Sequence, residues 1–289
     1  MAPTQWELQL SSPDYPQALR DTPDPPKTLH GFGDVSLLGP SLAVVGSRRA
    51  TPYGIACTRR FAGWAAAHGI TIVSGAAIGC DLQAHQAALD ADGRTVAVLG
   101  CGADVDYPRR AREVLSRLRT DHAVVAEAPW GCQPQRWTFT RRNRIIAGLA
   151  SAVLVVEAGL PSGTFSTADF ALAAGREVLA VPGSILSPEC RGSNRLISQG
   201  ATPITDESEL REALISCGLS PFTDRNECLF DPSSPGGGPL LRALRADAMR
   251  PDDLARALKQ DVVTLGRNLA ALEADGLVVR YRDGRYGVA

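Results

Sequence analysis

The sequence predicts an α/β protein: an open parallel sheet with helices on both faces, followed by a small winged-helix domain. Three observations predict it. From about Ser41, short apolar runs alternate with helical stretches, which is the order of strand and crossover helix in a parallel sheet. The runs are apolar throughout rather than at every second residue, as strands buried on both faces require. Past a Pro/Gly/Ser-rich stretch, the end of the chain carries a helix-period pattern that closes in a hairpin signal.

The elements follow in order. Residues 1–39 contain Pro13, Pro16, Pro23, Pro25 and Pro26. They read as an irregular or weakly helical lead-in, because proline removes a backbone donor. Residues 40–217 form the α/β domain. "LAVVGS" is its first strand, and "PYGIACTRRFAGWAAAHG" its first helix, stopped at Gly69. "ITIVSG" and "CDLQAHQAALDADG" are the next strand and helix, and "TVAVLGCG" and "PRRAREVLSRLRTD" the third pair. "AVVAEA", "SAVLVVEAG" and "EVLAVPG" are further strands, with "FSTADFALAAG" as a helix between the last two. Residues 218–238 are a linker that runs into the flexible "DPSSPGGGP". Residues 239–289 read as two short helices, "LLRALRADA" and "PDDLARALKQ", and a longer one apolar at Val262, Leu265, Leu269 and Leu272. The hairpin "LVVRYRDGRYGV" ends the pattern with Asp-Gly at its turn. Three helices and a terminal hairpin spell a winged helix-turn-helix.

Composition narrows the function classes. A chain of 289 residues, 44% hydrophobic and 21% charged, can bury a sizeable core. Net charge is −1, which excludes a wholly basic nucleic-acid binder but not a local basic patch. The seven cysteines (Cys57, Cys80, Cys101, Cys132, Cys190, Cys217 and Cys228) include no C-x-x-C pair, and there are only four His. A zinc site is therefore not expected, and scattered thiols suit a reducing cytosol. No apolar run reaches the roughly 18 residues of a membrane span. The N-terminus lacks the basic-then-apolar order of a signal peptide. The expectation is a cytoplasmic protein with no membrane insertion, no metal and no cofactor.

Ligands of open α/β sheets sit beyond the carboxyl ends of the strands. The loops there are rich in small residues: Gly46 and Ser47 after the first strand, Ser74, Gly75 and Gly79 after the second, Gly100 and Gly102 after the third. Ser162, Gly163 and Thr164 open the helix after "VLVVEAG". Such loops let backbone N–H groups approach an anion, and a helix start adds its dipole. Any strand-to-helix turn asks for glycine, so one loop alone carries little weight. Neither G-K-[ST] nor G-x-G-x-x-G is present, which argues against an ATPase or a dehydrogenase.

Charge is more telling. Residues 35–80 contain no acid but hold Arg48, Arg49, Arg59 and Arg60, and residues 128–156 contain no acid but hold Arg136, Arg141, Arg142 and Arg144. Solvated helix faces normally mix signs, whereas clustered like charge marks an electrostatic footprint. Arginine forks clamp phosphate oxygens, and Phe139 offers a face on which a base can stack. This is the equipment for single-stranded nucleic acid. No catalytic constellation emerges. Asp81 and His85 are spaced to share one helix face, and Glu157 ends a strand at the ligand edge, but neither defines a reaction.

The stretches "AVVGSRRATPYG", "IVSGAAIGCDLQAH", "TVAVLGCGADVDYP", "RNRIIAGLASAVLVVEAGLPSGTFSTADFALAAGREVLAVPG" and "GSNRLISQGA" resemble, in order and nearly in wording, the DNA-processing protein A (DprA/Smf) family. The resemblance runs from about Tyr15 to Ala201. It implies an extended Rossmann-like parallel sheet that binds single-stranded DNA without catalysis. It also implies a homodimer that protects incoming strands and loads RecA recombinase in natural transformation. Residue by residue it assigns the DNA site to Ser47 and Arg48, to Phe139, Arg142, Asn143 and Arg144, and to Ser162, Gly163 and Thr164. Arg136 occupies a position that is often basic. Two departures stand out. Ile78 replaces a usual basic residue, so that phosphate contact is expected to be either missing or supplied from elsewhere, with Arg49 and Arg141 as the candidates. Thr140 replaces a proline beside the phenylalanine's loop. Leu196 and Ile197 are the expected dimer face. The family's optional N-terminal helical domain has no room here, and the C-terminal module resembles the winged-helix appendage of many members.

Two rival readings follow from the same residues. "PSGTFSTADFA" resembles the phosphate-binding segment of lysine-decarboxylase-like phosphoribohydrolases, which would make the chain a nucleotide-sugar hydrolase with Glu157 as its acid. That reading needs a second carboxylate where Ala168 or Asp169 stands. The other rival is a transcription regulator acting through the winged helix.

Overall fold

The computed structural model describes residues 3–219, 240, 243–244, 249–258, 262–274, 278–281 and 284–288. The chain forms two compact units, Met1–Thr223 and Asp224–Ala289.

The first unit is built on one sheet. Its strands are β1 (Gln5–Gln9), β2 (Thr28–Gly33), β3 (Ser41–Val45), β4 (Thr71–Ser74), β5 (Thr95–Leu99), β6 (Ala123–Ala126), β7 (Ala152–Val155), β8 (Glu177–Ala180) and β9 (Thr202–Pro203). They lie in the order β1-β2-β6-β5-β4-β3-β7-β8-β9. From β6 through β9 the pairing is parallel, as the continuous apolar runs demand. In β3, Leu42 and Val44 face one core, and Ala43 and Val45 the other. The helices are α1 (Gln17–Arg20), α2 (Pro52–Ala67), α3 (Cys80–Asp90), α4 (Arg112–Asp121), α5 (Arg136–Leu149), α6 (Thr164–Ala173), α7 (Arg191–Ser198) and α8 (Glu207–Ser216). Helices α5 and α6 cover one face of the central strands through Ile145, Ile146, Leu149, Ala168 and Ala171. Helices α2, α3 and α8 cover the other through Phe61, Ala62, Ala84, Ala88 and Leu210.

The lead-in departs from expectation. Residues 1–39 are not an irregular segment, because β1 and β2 pair antiparallel with each other and β2 pairs antiparallel with β6, His30 opposite Ala126. Pro13, Pro16, Pro23, Pro25 and Pro26 all fall between the two strands, so they shape the connection and leave both ladders intact. Trp6 lies across Gly31, where a Cβ would stand 2.3 Å from the indole ring. Leu19 and Leu29 are fully buried, and the Tyr15 hydroxyl donates to the Pro26 carbonyl at 2.7 Å. A second departure concerns Phe139, which lies on helix α5 rather than in a loop. With threonine at position 140 and no proline or glycine before Gly148, nothing interrupts that helix, and its apolar residues dock on the sheet.

In the second unit the described residues form two helices, α9 (Pro251–Leu258) and α10 (Val262–Ala274), and two strands, β10 (Val278–Arg280) and β11 (Tyr286–Val288). The strands pair antiparallel as the Asp-Gly signal expected. Leu254, Leu265, Leu269 and Val278 share a small core with Leu240 and Leu244. The expected helix over "LLRALRADA" and the stretch 231–239 lie largely or wholly outside the described residues. Among the described residues no helix is long and apolar enough to cross a membrane, and no cluster of His, Cys, Asp and Glu is placed to hold a metal.

Candidate nucleic-acid interface

Strands β3 and β7 lie side by side, with Val45 opposite Val155. Beyond them the connections run to opposite sides, β3 toward β4 and β7 toward β8. At such a switch point the loops diverge and leave a crevice. A cleft of about 700 Å³ opens there, walled by Ser47, Arg48, Arg49, Phe139, Arg142, Asn143, Ser162, Gly163 and Thr164 among others. Thus nine of the twelve residues expected to meet nucleic acid share one cavity, although they come from three separate segments.

Backbone contacts set the loops. The Ser47 N–H donates to the Glu157 carbonyl at 2.7 Å, and the Ser47 carbonyl accepts from the Cys80 N–H at 3.2 Å. This pins the first loop between the end of β7 and the start of α3. Gly79 makes the approach possible: its φ is +98°, and a Cβ there would stand 2.1 Å from the Ser47 carbonyl oxygen. On the opposite wall Ser162 Oγ accepts from the Thr164 N–H at 3.2 Å, and Asn143 Nδ2 donates to Ser166 Oγ at 2.9 Å, tying α5 to α6.

Arg48 and Arg49 are exposed. The Arg48 guanidinium lies over the Phe139 ring, 5.3 Å from its centroid, a cation–π contact. The Tyr107 ring is 5.5 Å from Phe139 with an interplanar angle of 31°. Phe139 is therefore one part of a composite platform of guanidinium and two rings rather than a bare aromatic face. Two carboxylates, Asp81 and Glu189, also line the cleft.

Arg142 is buried, unlike Arg48. Its Nη1 donates to the carbonyls of Gly75 (2.8 Å) and Val98 at the ends of β4 and β5, and its Nε donates to Asn143 Oδ1 at 3.2 Å. Burial draws its pKa down to about 10, with Asp81 opposing the shift, so it stays charged at neutral pH. Burial in turn pushes the Asp81 carboxyl up, against the pull of Arg142. Arg142 thus forms the cationic floor of the cleft, while Arg48 and Arg49 are its exposed cations on the rim.

Three expected residues stand elsewhere. Arg144 is buried against the N-terminal segment, donating to Asp24 and Glu127, both at 2.8 Å. Arg141 donates to the same Glu127 oxygen at 2.9 Å. Arg136 is exposed at the start of α5, outside the cleft walls. The run "RRNR" is helical, so its arginines point in different directions about the axis. Of the two residues expected to stand in for Ile78, Arg49 lines the cleft and Arg141 does not. Ile78 is itself exposed in a small hollow bordered by Arg48, Tyr107 and Phe139. Leu196 is turned into the first unit's own core and Ile197 packs against it, so Leu196 is not a free contact face.

Glu157 is fully buried and takes no part in the cleft walls. Its carboxylate accepts from the Thr51 N–H (3.2 Å) and the Thr51 hydroxyl at the start of α2, and a Cβ on Gly54 would stand 2.5 Å from Oε2. It is committed to holding the α2 N-terminus. Ala168 is buried and Asp169 is exposed away from those walls. The pair of carboxylates that the hydrolase reading needs is not assembled. Sequence reasoning missed Tyr107. The signal was its place just beyond the third glycine loop, on the ligand edge of the sheet.

The family model described as DNA recombination-mediator protein A matches residues 7–215. Protein Smf of Escherichia coli is 40% identical over 288 residues, covering 98% of this chain and 77% of that protein. DNA processing protein DprA of Bacillus subtilis is 39% identical over 209 residues, 72% of this chain and 70% of its own length. Among solved structures, DNA processing protein A of Streptococcus pneumoniae superposes with a TM-score of 0.69 at 37% identity, over 72% of this chain and 73% of that one. DNA processing protein A of Helicobacter pylori, solved to describe its single-stranded DNA binding mode, gives 0.67 at 29% identity over 74% and 96%. A parallel sheet with a cleft at its switch point, matched over most of its length by these proteins, places the chain in the DNA recombination-mediator protein A family, the DprA/Smf proteins.

Proposed function

We propose that this chain is a cytoplasmic, non-enzymatic mediator that binds single-stranded DNA in the β3/β7 cleft, protects incoming strands and loads RecA recombinase during natural transformation. The observation that carries the reading is the Arg48 guanidinium stacked over Phe139 beside Arg49 and above Arg142. A strand in the cleft meets cations for its phosphates, a stacking platform for a base and the start of α6 at Ser162, Gly163 and Thr164. The Helicobacter pylori relative's described single-stranded DNA binding supports the same assignment. Family membership supports RecA loading and the homodimer. The second unit, with two helices and a hairpin among its described residues, is assigned as a winged helix that either touches DNA or docks a protein.

The test is a mobility-shift series with single- and double-stranded oligonucleotides across salt. Arg48→Ala is expected to weaken single-strand binding and to flatten its salt slope by about one charge. Unchanged affinity and slope would remove Arg48 from the site. For the mediator role, the chain is expected to speed RecA assembly on strands already coated with a single-strand-binding protein.

A further inference from the structure

Helix α5 has a cleft on each side of its first turns. The second cleft, about 500 Å³, lies between α5, the β1–β2 connection and the loops after β5 and β6. Arg142 borders both clefts, and a hollow of about 150 Å³ beside Phe139 shares walls with each. The three hollows therefore adjoin one another around the start of α5.

Trp137 stands in the wall of the second cleft. It is 58% exposed, while Trp6, Trp64 and Trp130 are all half-buried. Its Nε1–H donates to Gln135 Oε1 at 2.6 Å, which anchors one edge of the indole and leaves the ring in the cleft wall. Residues two apart on a helix project about 200° apart, so Phe139 serves the first cleft and Trp137 the second. The second cleft's charge also suits a polyanion. Glu127 is shared by Arg141 and Arg144, and Asp24 is held by Arg144. Both carboxylates are thereby answered, and Lys27 remains exposed on the wall, with the buried Arg142 behind it.

We propose that Trp137 is a second base-stacking platform: a single strand leaving the first cleft turns around the start of α5 and sets a base on the indole, with Lys27 beside its phosphates. This rests on the single-strand reading above. Two strand lengths separate the two claims: about 6 nucleotides, enough for the first cleft, and about 20, enough for both. Trp137→Ala is expected to weaken the long strand about tenfold, the size of one lost stack, and to leave the short strand unchanged. Trp137→Phe should restore most of the loss. The long strand, but not the short one, should quench a component of the intrinsic fluorescence that Trp137→Phe lacks. Unchanged long-strand affinity in Trp137→Ala, or an equal loss at both lengths, would overturn the second platform while leaving the first cleft standing. A wild-type chain that binds neither length would overturn the single-strand reading and this one with it.

Discussion

Arg48 and Arg142 line the same cleft and do different work. Arg48 is exposed over an aromatic ring, whereas Arg142 spends its donors on two strand-end carbonyls and sits against Gly75, where a Cβ would stand 2.3 Å from its Nη1. Arg142→Ala should therefore lower unfolding stability by on the order of 3 kcal/mol, because buried carbonyls lose their donors, while Arg48→Ala should change it by less than about 0.5 kcal/mol. Urea unfolding of the two variants checks the contrast. His85 gives a pH signature. It is fully buried, its Nδ1 lies 2.7 Å from Thr95 Oγ1, and burial lowers its pKa from 6.5 to about 3. The unfolded chain takes up a proton below about pH 6.5 that the folded chain refuses until about pH 3. Stability is thus expected to fall as pH drops through that window, by up to about 1.4 kcal/mol per pH unit from this group. Urea midpoints between pH 7 and 4 should fall less steeply in His85→Gln. At this scale the sequence was legible for residue type but not for direction. Eight arginines stood in two acid-free blocks, yet Arg60 and Arg144 found carboxylates far along the chain at Glu207 and Asp24. Local charge density could not reveal partners supplied by distant chain.

The loops and helix starts around the cleft depend on one another. Glu157, at the end of the β7 segment, caps α2 through Thr51, and the same segment's carbonyl fixes Ser47. Glu157→Ala should cost roughly 1–3 kcal/mol, since the α2 N-terminus loses its acceptor. Thermal unfolding would report that loss, and single-strand affinity should stay within about twofold. Release of free base from nucleoside monophosphates, lost in Glu157→Gln, would instead restore the hydrolase reading. Gly79→Ala should be worse for both stability and binding, because a left-handed backbone and a clash with the Ser47 carbonyl coincide. The parallel strands were readable because burial on both faces forces unbroken apolar runs. β1 and β2 were not, because an edge hairpin needs only alternate apolar residues, and the prolines beside it dominated the reading. Helix α5 was read only as a motif, since Trp137 and Phe139 are the only apolar residues of its first two turns and the run that docks on the sheet begins at Ile145.

For the first unit as a whole, the N-terminal hairpin is an integral part of the sheet. It covers the β6 edge, buries Tyr15, Leu19 and Leu29, and is held by Arg144 on Asp24 and by Arg176, whose Nη2 donates to the Ala18 carbonyl at 2.9 Å. Removing residues 1–39 should yield an aggregating product, because it bares a paired strand edge together with apolar surface. Size-exclusion chromatography of the truncated chain checks this. Removing residues 231–289 should leave single-strand affinity largely intact, and its disappearance would move the main site to the second unit. The pairing of β2 with β6 also has a consequence during synthesis. His30 leaves the ribosome long before its partner Ala126, and at about 5–20 residues per second that delay is roughly 5–20 s. Throughout that interval the nascent β1–β2 pair has no β6 edge to dock on, and its apolar face stays open to chaperones.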